Sequence, residues 1–367
     1  MLKSRLCIAF FAFAVGCAPA QKPLTDYVNP MLGTATLWDS VDLGFKPTKR
    51  TWGAEVFPGS SLPNAMVQVS PVTKFHSGAG YQYEDSVIYG FTHTNKGHWN
   101  LCHIPLLPVT GTPTPGDYCS PFSHERESAA PGYYQVFLDR YGVDAQLSST
   151  LRCAFHKYTY PAGAAPAVLA DLQRSNEHVR AWDIRKEGDN VFAGWQQTGE
   201  KMYFYAVANR PVTGIEPVVE GDREVRIVRF GEGDGALELR IGFSFVSEKN
   251  ARENLEAEML GKSFAEVRSE ATATWNDLLG RIRVEGGTER EKGLFYSRLY
   301  RSFLWPALRS DVNGEFTDVD GKVINPGFRY YTGPSYWDDY RNKLILLGML
   351  APDVAADVIS SGVEKGE

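Results

Sequence analysis

Two stretches of the chain gather side chains that can do chemistry. The first is GFTHTNKGHWNLCHIPLLP, residues 90–108, which holds His93, His98, His103, Cys102 and Trp99. Imidazoles and thiolates bind metals, but zinc sites draw them from tighter paired spacings. Here the histidines recur every five residues, which places them on neither one helix face nor one strand face. Cys102 and His103 are neighbours, and on a strand neighbours point to opposite faces. A metal site is therefore not expected in this stretch. YGFTHT and IPLLPV read as strand segments, which leaves NKGHWN as a loop at one end of a sheet, where function often sits. Trp99 offers a flat apolar face to a sugar ring, and His98, Asn95 and Asn100 offer hydrogen bonds to hydroxyls. The same residues suit a structural loop with a half-buried tryptophan, and composition does not choose between the two.

The second stretch is GPSYWDDYRNK, residues 333–343. Trp337, Asp338 and Arg341 fall within about one helical turn. A carboxylate held near an arginine can fix two adjacent sugar hydroxyls. The competing reading is a helix start, with Ser335 as N-cap, Asp338 at the third position and a routine ion pair to Arg341. Other signatures are missing: no G-x-S-x-G elbow, P-loop or Rossmann glycine pattern occurs. Glycosidic cleavage needs two carboxylates flanking the bond, and spacing assigns no such pair here.

The elements that must carry these stretches change type along the chain. From about Asp26 to Phe245 the signals are mostly β. In ALELRIGFSF (236–245), Leu237, Leu239, Ile241, Phe243 and Phe245 alternate with polar or small residues, which is one buried and one wet face. REVRIVRF (223–230) precedes it, and GEGDG between them reads as a hairpin loop. KMYFYAVAN (201–209), LRCAFHKYTYP (151–161) and AVLADL (167–172) are further strands. Many short strands between Gly, Pro and Asp turns predict a sandwich. Near Ser247 the period shifts to that of a helix. Phe264, Val267, Ala271, Trp275, Leu278 and Ile282 form one apolar stripe. TEREKGLFYSRLYRSFLWPAL (288–308) is a second helix, with Thr288 as N-cap, Glu291 as its capping-box partner and Pro306 as its stop. GEFTDVDGKV reads as a short hairpin, and SYWDDYRNKLILLGMLAP and DVAADVISSGVEKGE as further helices. Leu344, Ile345, Leu346, Leu347, Met349 and Leu350 are more apolar surface than a few helices can bury among themselves. The expectation is a fragment, or a chain that packs against another.

Composition bounds the class. The chain has 367 residues, enough for one large core or two smaller ones. With 43% hydrophobic and 22% charged residues it is a folded protein, not a disordered one. A formal charge of −6 gives no electrostatic footprint for nucleic acid. MLKSRLCIAFFAFAVGCAPAQ is a basic start followed by an apolar run too short to span a bilayer, and reads as an export signal. AVGC resembles a lipobox, which would make Cys17 a lipidated first residue, while APA ending at Ala20 fits ordinary signal cleavage. Cys102, Cys119 and Cys153 remain in the mature chain. Cys102 and Cys119 could pair in an oxidising compartment, and three separate thiols are equally compatible with the sequence.

YVNPMLGT (27–34), VFPGSSLPNAMVQVSP (56–71), GYQYEDSVIYGFTHT (80–94), FHKYTYP (155–161) and SYWDDYR (335–341) occur in order. Together they resemble the exo-acting α-mannosidases of glycoside hydrolase family 92, over nearly the whole mature chain. The resemblance implies an N-terminal β-rich super-sandwich, a helical linker and the first helices of an incomplete (α/α)₆ barrel. On this chain those divisions would be a signal over 1–20, the sandwich over 21–246, the linker over 247–284 and the start of the barrel over 285–367. The resemblance also implies removal of terminal α-linked mannose from mannosides or N-glycans, with inversion and with calcium; the export signal and lipobox place the product in the periplasm or, as a lipoprotein, on the outer-membrane surface of a bacterium. Asp338, Trp337 and Arg341 match the family's WD motif, in which the aspartate binds hydroxyls of the mannose to be released. NKGHWN departs from the family's usual HLSG run, which leaves Trp99 and His98 as candidates for contacts to the sugar left behind. The acid, the base and the calcium ligands of the family come from the later barrel and are expected beyond Glu367, so no metal ligand is assigned in this chain. A non-catalytic sandwich that binds carbohydrate is the alternative, and a partner other than a mannose-containing glycan, or a membrane beyond a lipid anchor, is not implied.

Overall fold

The structure, a computed structural model, describes residues 22–36, 44–46, 56–95, 101–333, 336–339 and 341–366, without the side chains of Tyr336 and Asp338. Two large antiparallel sheets dominate it. One has seven strands in the order β1 (Ser60–Ser61), β2 (Gln68–Val72), β4 (Gly90–Thr92), β5 (Leu106–Val109), β11 (Ala167–Ala170), β16 (Arg223–Phe230) and β15 (Val212–Glu220). The other has eight, in the order β12 (Ala181–Gly188), β13 (Val191–Gln197), β14 (Lys201–Ala208), β17 (Leu237–Ser244), β10 (Cys153–Thr159), β9 (Val143–Ser149), β8 (Tyr133–Leu138) and β7 (Glu127–Ala130). A two-stranded pair, β3 (Val87–Ile88) and β6 (Ser120–Pro121), stands apart.

One apolar core holds side chains from both sheets, among them Val69, Phe91, Leu107 and Ile227 from the first and Leu147, Phe204, Ile241 and Phe243 from the second. Alternation is the cause. In β14, Met202, Phe204, Ala206 and Ala208 are buried while Lys201, Tyr203, Tyr205 and Val207 between them are not, so one face supplies the core and the other meets solvent or a helix. The expected hairpin between REVRIVRF and ALELRIGFSF does not form. β16 pairs with β11 and β15 in the first sheet, whereas β17 pairs with β10 and β14 in the second. The GEGDG segment crosses between sheets, because a central position in each buries both apolar runs where a hairpin would leave one at an edge.

The helices follow. α1 (Glu248–Glu258) is capped by Ser247, whose side chain accepts from the Asn250 amide. α2 (Phe264–Leu279) and α3 (Glu289–Ser302) each carry a full capping box, Ser263 with Glu266 and Thr288 with Glu291. The single helical stretch read from sequence is thus two helices, broken where Gly261 adopts φ +91°. Phe264, Val267, Ala271, Trp275 and Leu278 are buried as the stripe requires, the first two in a smaller cluster with Phe155 and Leu255, and Ile282 lies beyond the helix end, half-buried against the main core with the other three. A second split separates α4 (Tyr336–Asp339) from α5 (Lys343–Leu350), followed by α6 (Pro352–Gly366). The expected hairpin in GEFTDVDGKV is β18 (Phe316–Thr317) with β19 (Val323–Ile324).

Buried contacts lock helices to sandwich. Gly242 lets α1 lie directly on β17, since a Cβ there would run into the Ala251 carbonyl oxygen. The buried Asp311 carboxylate accepts from Ser244 Oγ at 2.6 Å, Asn254 Nδ2 at 2.6 Å and Asn250 Nδ2 at 2.9 Å. Asn64 takes the left-handed region at φ 52° and exchanges main-chain bonds with the helical side, from its own amide to Phe303 O and from the Leu308 amide to its carbonyl. Trp275 spans the same junction, with Nε1 donating to Ser61 O at 2.7 Å and its ring 4.3 Å from that of Tyr300. On the far side of the helices the apolar surface stays open: Ile345, Met349, Ile359 and Val363 are all exposed. The helical part is the start of a barrel, not a closed one.

Candidate functional site

The histidine-rich stretch resolves into core. His93 and His103 are fully buried. His93 Nε2 lies 3.0 Å from His156 Nε2, and His156 Nδ1 lies 2.6 Å from the Tyr158 hydroxyl. His103 bridges two buried threonines, Thr94 and Thr198, each at 3.0 Å. Burial pushes the pKa of both His93 and His156 down from the ordinary histidine value. These are neutral, hydrogen-bonded core groups. Asn95, read from sequence as an offer to sugar hydroxyls, is buried too: its Nδ2 donates to Gln68 O at 2.7 Å and Thr92 O at 2.9 Å. It closes the end of the sheet instead of facing a ligand. Cys102, Cys119 and Cys153 are free thiols, so Cys102 and Cys119 are not paired. His98, Trp99 and Asn100 lie outside the described residues, as does Cys17.

Residues 101–104 form a constrained turn. Cys102 and Ile104 both have positive φ, 50° and 54°. For a β-branched residue this costs about 1–3 kcal/mol and must be held in place. The Ile104 amide donates to Gln196 Oε1 at 2.8 Å, and Gln196 Nε2 in turn donates to Leu172 O and Arg174 O. The Leu101 carbonyl accepts from the Asn176 amide and from Ser175 Oγ. Leu101 is thereby fixed on the wall of a cleft of about 870 Å³.

That cleft lies where sandwich meets helices. The sandwich side contributes Glu177, Glu200, Lys201 and Tyr203; the helical side contributes Arg309, Asp318, Tyr330, Gly333 and Lys365. It therefore joins the end of the first sequence motif, at Leu101, to the beginning of the second, at Gly333. Its cations rest on aromatic faces. The Arg309 guanidinium is 3.7 Å from the Phe245 centroid and pairs with Glu200 at 3.0 Å. The Lys201 ammonium lies 3.5 Å above Trp195, and that of Lys365 is 4.9 Å from the Tyr330 centroid while donating to Tyr331 O. Burial, then the charge of Arg309, lowers the Lys365 pKa from its ordinary value. Burial, followed by Glu200, pushes the Tyr330 hydroxyl up to about 12.

The cleft's three carboxylates already have work. Glu200 holds Arg309, Glu177 accepts from the Gly199 amide at 3.3 Å, and Asp318 accepts from the Asp320 and Lys322 amides at 2.9 and 2.8 Å. These bonds shape the wall of the cleft. Of the second motif, Trp337 stands 87% exposed and Arg341 is exposed, so neither is a core residue. The Asp338 backbone lies in α4, and its side chain lies outside the description. Its neighbour Asp339 is buried and pairs with Lys343 at 3.1 Å. Arg309, Glu200, Tyr330 and Lys365 were not found by sequence reasoning. They lie on four separated segments, and no local pattern marks them.

The molecule is a β-super-sandwich joined by capped helices to the start of a helical barrel, with a polar cleft at the seam. The chain matches the glycosyl hydrolase family 92 N-terminal domain over residues 27–254 and the family 92 catalytic domain over residues 250–367. It belongs to glycosyl hydrolase family 92. A solved family GH92 α-mannosidase from Bacteroides thetaiotaomicron is similar at 25% identity with a TM-score of 0.84, covering 94% of this chain and 49% of that one. A family GH92 inverting mannosidase from the same organism is similar at 26% identity and a TM-score of 0.79, covering 92% and 48%. An uncharacterized secreted glycosidase of Arthroderma benhamiae is 25% identical over 79% of this chain and 42% of its own length. The chain thus spans about half the length of the relatives it matches.

Proposed function

We propose that this chain is the N-terminal portion of an exported exo-α-mannosidase that removes terminal mannose from α-linked mannosides or N-glycans by inversion. The observation that carries the reading is the cleft at the sandwich–helix seam, which joins Leu101 to Gly333 beside the WD motif. The family, and the printed activity of the two Bacteroides neighbours, support the substrate class.

In the complete protein, one carboxylic acid protonates the glycosidic oxygen and a second carboxylate activates water on the opposite face, about 6.5–9.5 Å away. The resemblance implies that both come from the later barrel. What this chain contributes is binding. Asp338 and Arg341 hold hydroxyls of the mannose to be released, Trp337 packs beside it, and His98 and Trp99 contact the sugar left behind. Calcium belongs to the same proposal for the complete protein. Among the described residues no group of three or more His, Cys, Asp or Glu could hold a metal ion; the calcium ligands are proposed to lie in the later barrel, and no step here runs through the ion. Export through the first 20 residues, with or without a lipid on Cys17, completes the reading. The Arthroderma relative's description as secreted supports export, and among the described residues no helix is long and apolar enough to cross a membrane.

The test uses the complete protein. Mannose should be released from α-mannosides with the β-anomer formed first, as followed by proton NMR. First release of the α-anomer would overturn inversion. Asp338→Ala should lower turnover steeply with an unchanged circular dichroism spectrum. Full turnover in that variant would remove Asp338 from the site.

A further inference from the structure

Beyond the cleft, on the outer face of the eight-stranded sheet, Trp195 of β13 pairs directly across from Tyr203 of β14. Both are half-buried, while Gln196, Met202 and Phe204 between and beside them turn inward and are buried. The Lys201 ammonium bridges the two rings, 3.5 Å from the Trp195 centroid and 5.0 Å from that of Tyr203. Tyr203, Lys201 and Gln197 line the cleft, and Trp195 is the next residue outward on the same sheet face. The aromatic surface therefore begins inside the cleft and runs out of it.

We infer that Trp195 and Tyr203 form an outer subsite for a sugar residue remote from the bond that is cut, so that the protein prefers extended mannose-rich oligosaccharides to disaccharides. The inference rests on the mannoside reading above. Aromatic pairs on a flat sheet give rigid, amphipathic contact area at little entropic cost. Polar groups stand around them: Gln197 is on the same strand face, and Asp183 pairs directly across from Trp195. The ammonium that covers the indole is no barrier. An exposed cation–π contact is worth about 0.5–1 kcal/mol, so a sugar ring that stacks and hydrogen-bonds displaces it, and the freed ammonium donates to hydroxyls. A cleft of about 870 Å³ lies at the upper end of ordinary ligand pockets, which suits more than one sugar ring. A cross-strand aromatic pair also strengthens the sheet, but that role does not depend on the length of a ligand.

The experiment is a calorimetric titration of the full chain with α-mannobiose and with a mannose-rich N-glycan oligosaccharide. The wild type should bind the oligosaccharide more tightly. Trp195→Ala should weaken that binding about tenfold and leave mannobiose unchanged, and Trp195→Phe should keep most of the preference. A chemical-shift change of the Trp195 indole N–H on adding the oligosaccharide, absent with mannobiose, reads the same contact without any truncation. Equal affinities for both ligands in the wild type, or no shift at Trp195, would overturn the outer subsite while the mannoside reading stands. Binding of neither ligand would overturn both.

Discussion

His93, His103 and His156 sit sealed inside the sandwich, whereas Trp337, in the WD motif, stands 87% exposed. Both regions are clusters of polar and aromatic side chains, and they play opposite parts. His103 and His156 spend both ring nitrogens, and His93 its Nε2, on one another, on threonines and on Tyr158. Each is a polar group brought into the core with its partner, which keeps burial affordable. Trp337 keeps its apolar surface in water, as Ile345 and Met349 do. In this molecule, partnered polar groups inside and an exposed aromatic face outside separate the two regions. Near the cleft, the buried Gln196 holds the Ile104 amide, while Ser175 and Asn176 hold the Leu101 carbonyl on the cleft wall.

The contrast can be tested, beginning with the core. Trp275→Ala should destabilise the chain by about 3–5 kcal/mol through the cavity it leaves, with the Ser61 carbonyl losing its donor as well. Urea unfolding measures this, and a loss below about 1 kcal/mol would mean that sandwich and helices are not welded there. Next is Gln196→Ala, which strands the Ile104 amide and two carbonyls. About 2 kcal/mol should be lost, and the amides of residues 101–104 should exchange faster with deuterium. If exchange there is unchanged, the left-handed turn holds itself.

Acidification probes the histidine pair. The bond between His93 and His156 needs a lone pair on one of the facing nitrogens, and burial lowers both pKa values below the ordinary 6.5. As pH falls below about 6.5 the unfolded chain takes up protons that the folded chain refuses. The stabilising contribution is complete above that pH and is lost on going down, by at most about 1.4 kcal/mol per pH unit for each histidine. Proton NMR at pH 5 should show both rings neutral; a ring that titrates near 6.5 would break the assignment to core. The smallest expected effect is the most discriminating. Trp337→Ala should change stability by less than about 0.5 kcal/mol while weakening mannoside binding by the complete protein. A large stability loss would make Trp337 a packing residue after all.

Much was legible before any coordinates. The period-two runs predict the strands because a sheet with one wet face leaves that mark, and Thr288 with Glu291 announces a helix start because the capping box is local. The WD motif could be located from sequence, since it is contiguous. What was not legible lacks a local cause. Nothing in REVRIVRF or ALELRIGFSF says that they enter different sheets, because strand pairing depends on which partners bury each face. Asn95 reads as a loop polar group, and only the fold surrounds it with Gln68 and Thr92.

The sequence by itself determined the family, the β-to-helix change near Ser247, the caps and the position of the WD motif, all of which rest on neighbours within a few residues. Tertiary structure alone decided that the histidines are core, that Arg309, Glu200, Tyr330 and Lys365 converge on one cleft, and that Trp195 lies beside it. Those outcomes come from contacts between segments far apart in the chain, whose energies depend on burial and geometry that no local pattern carries.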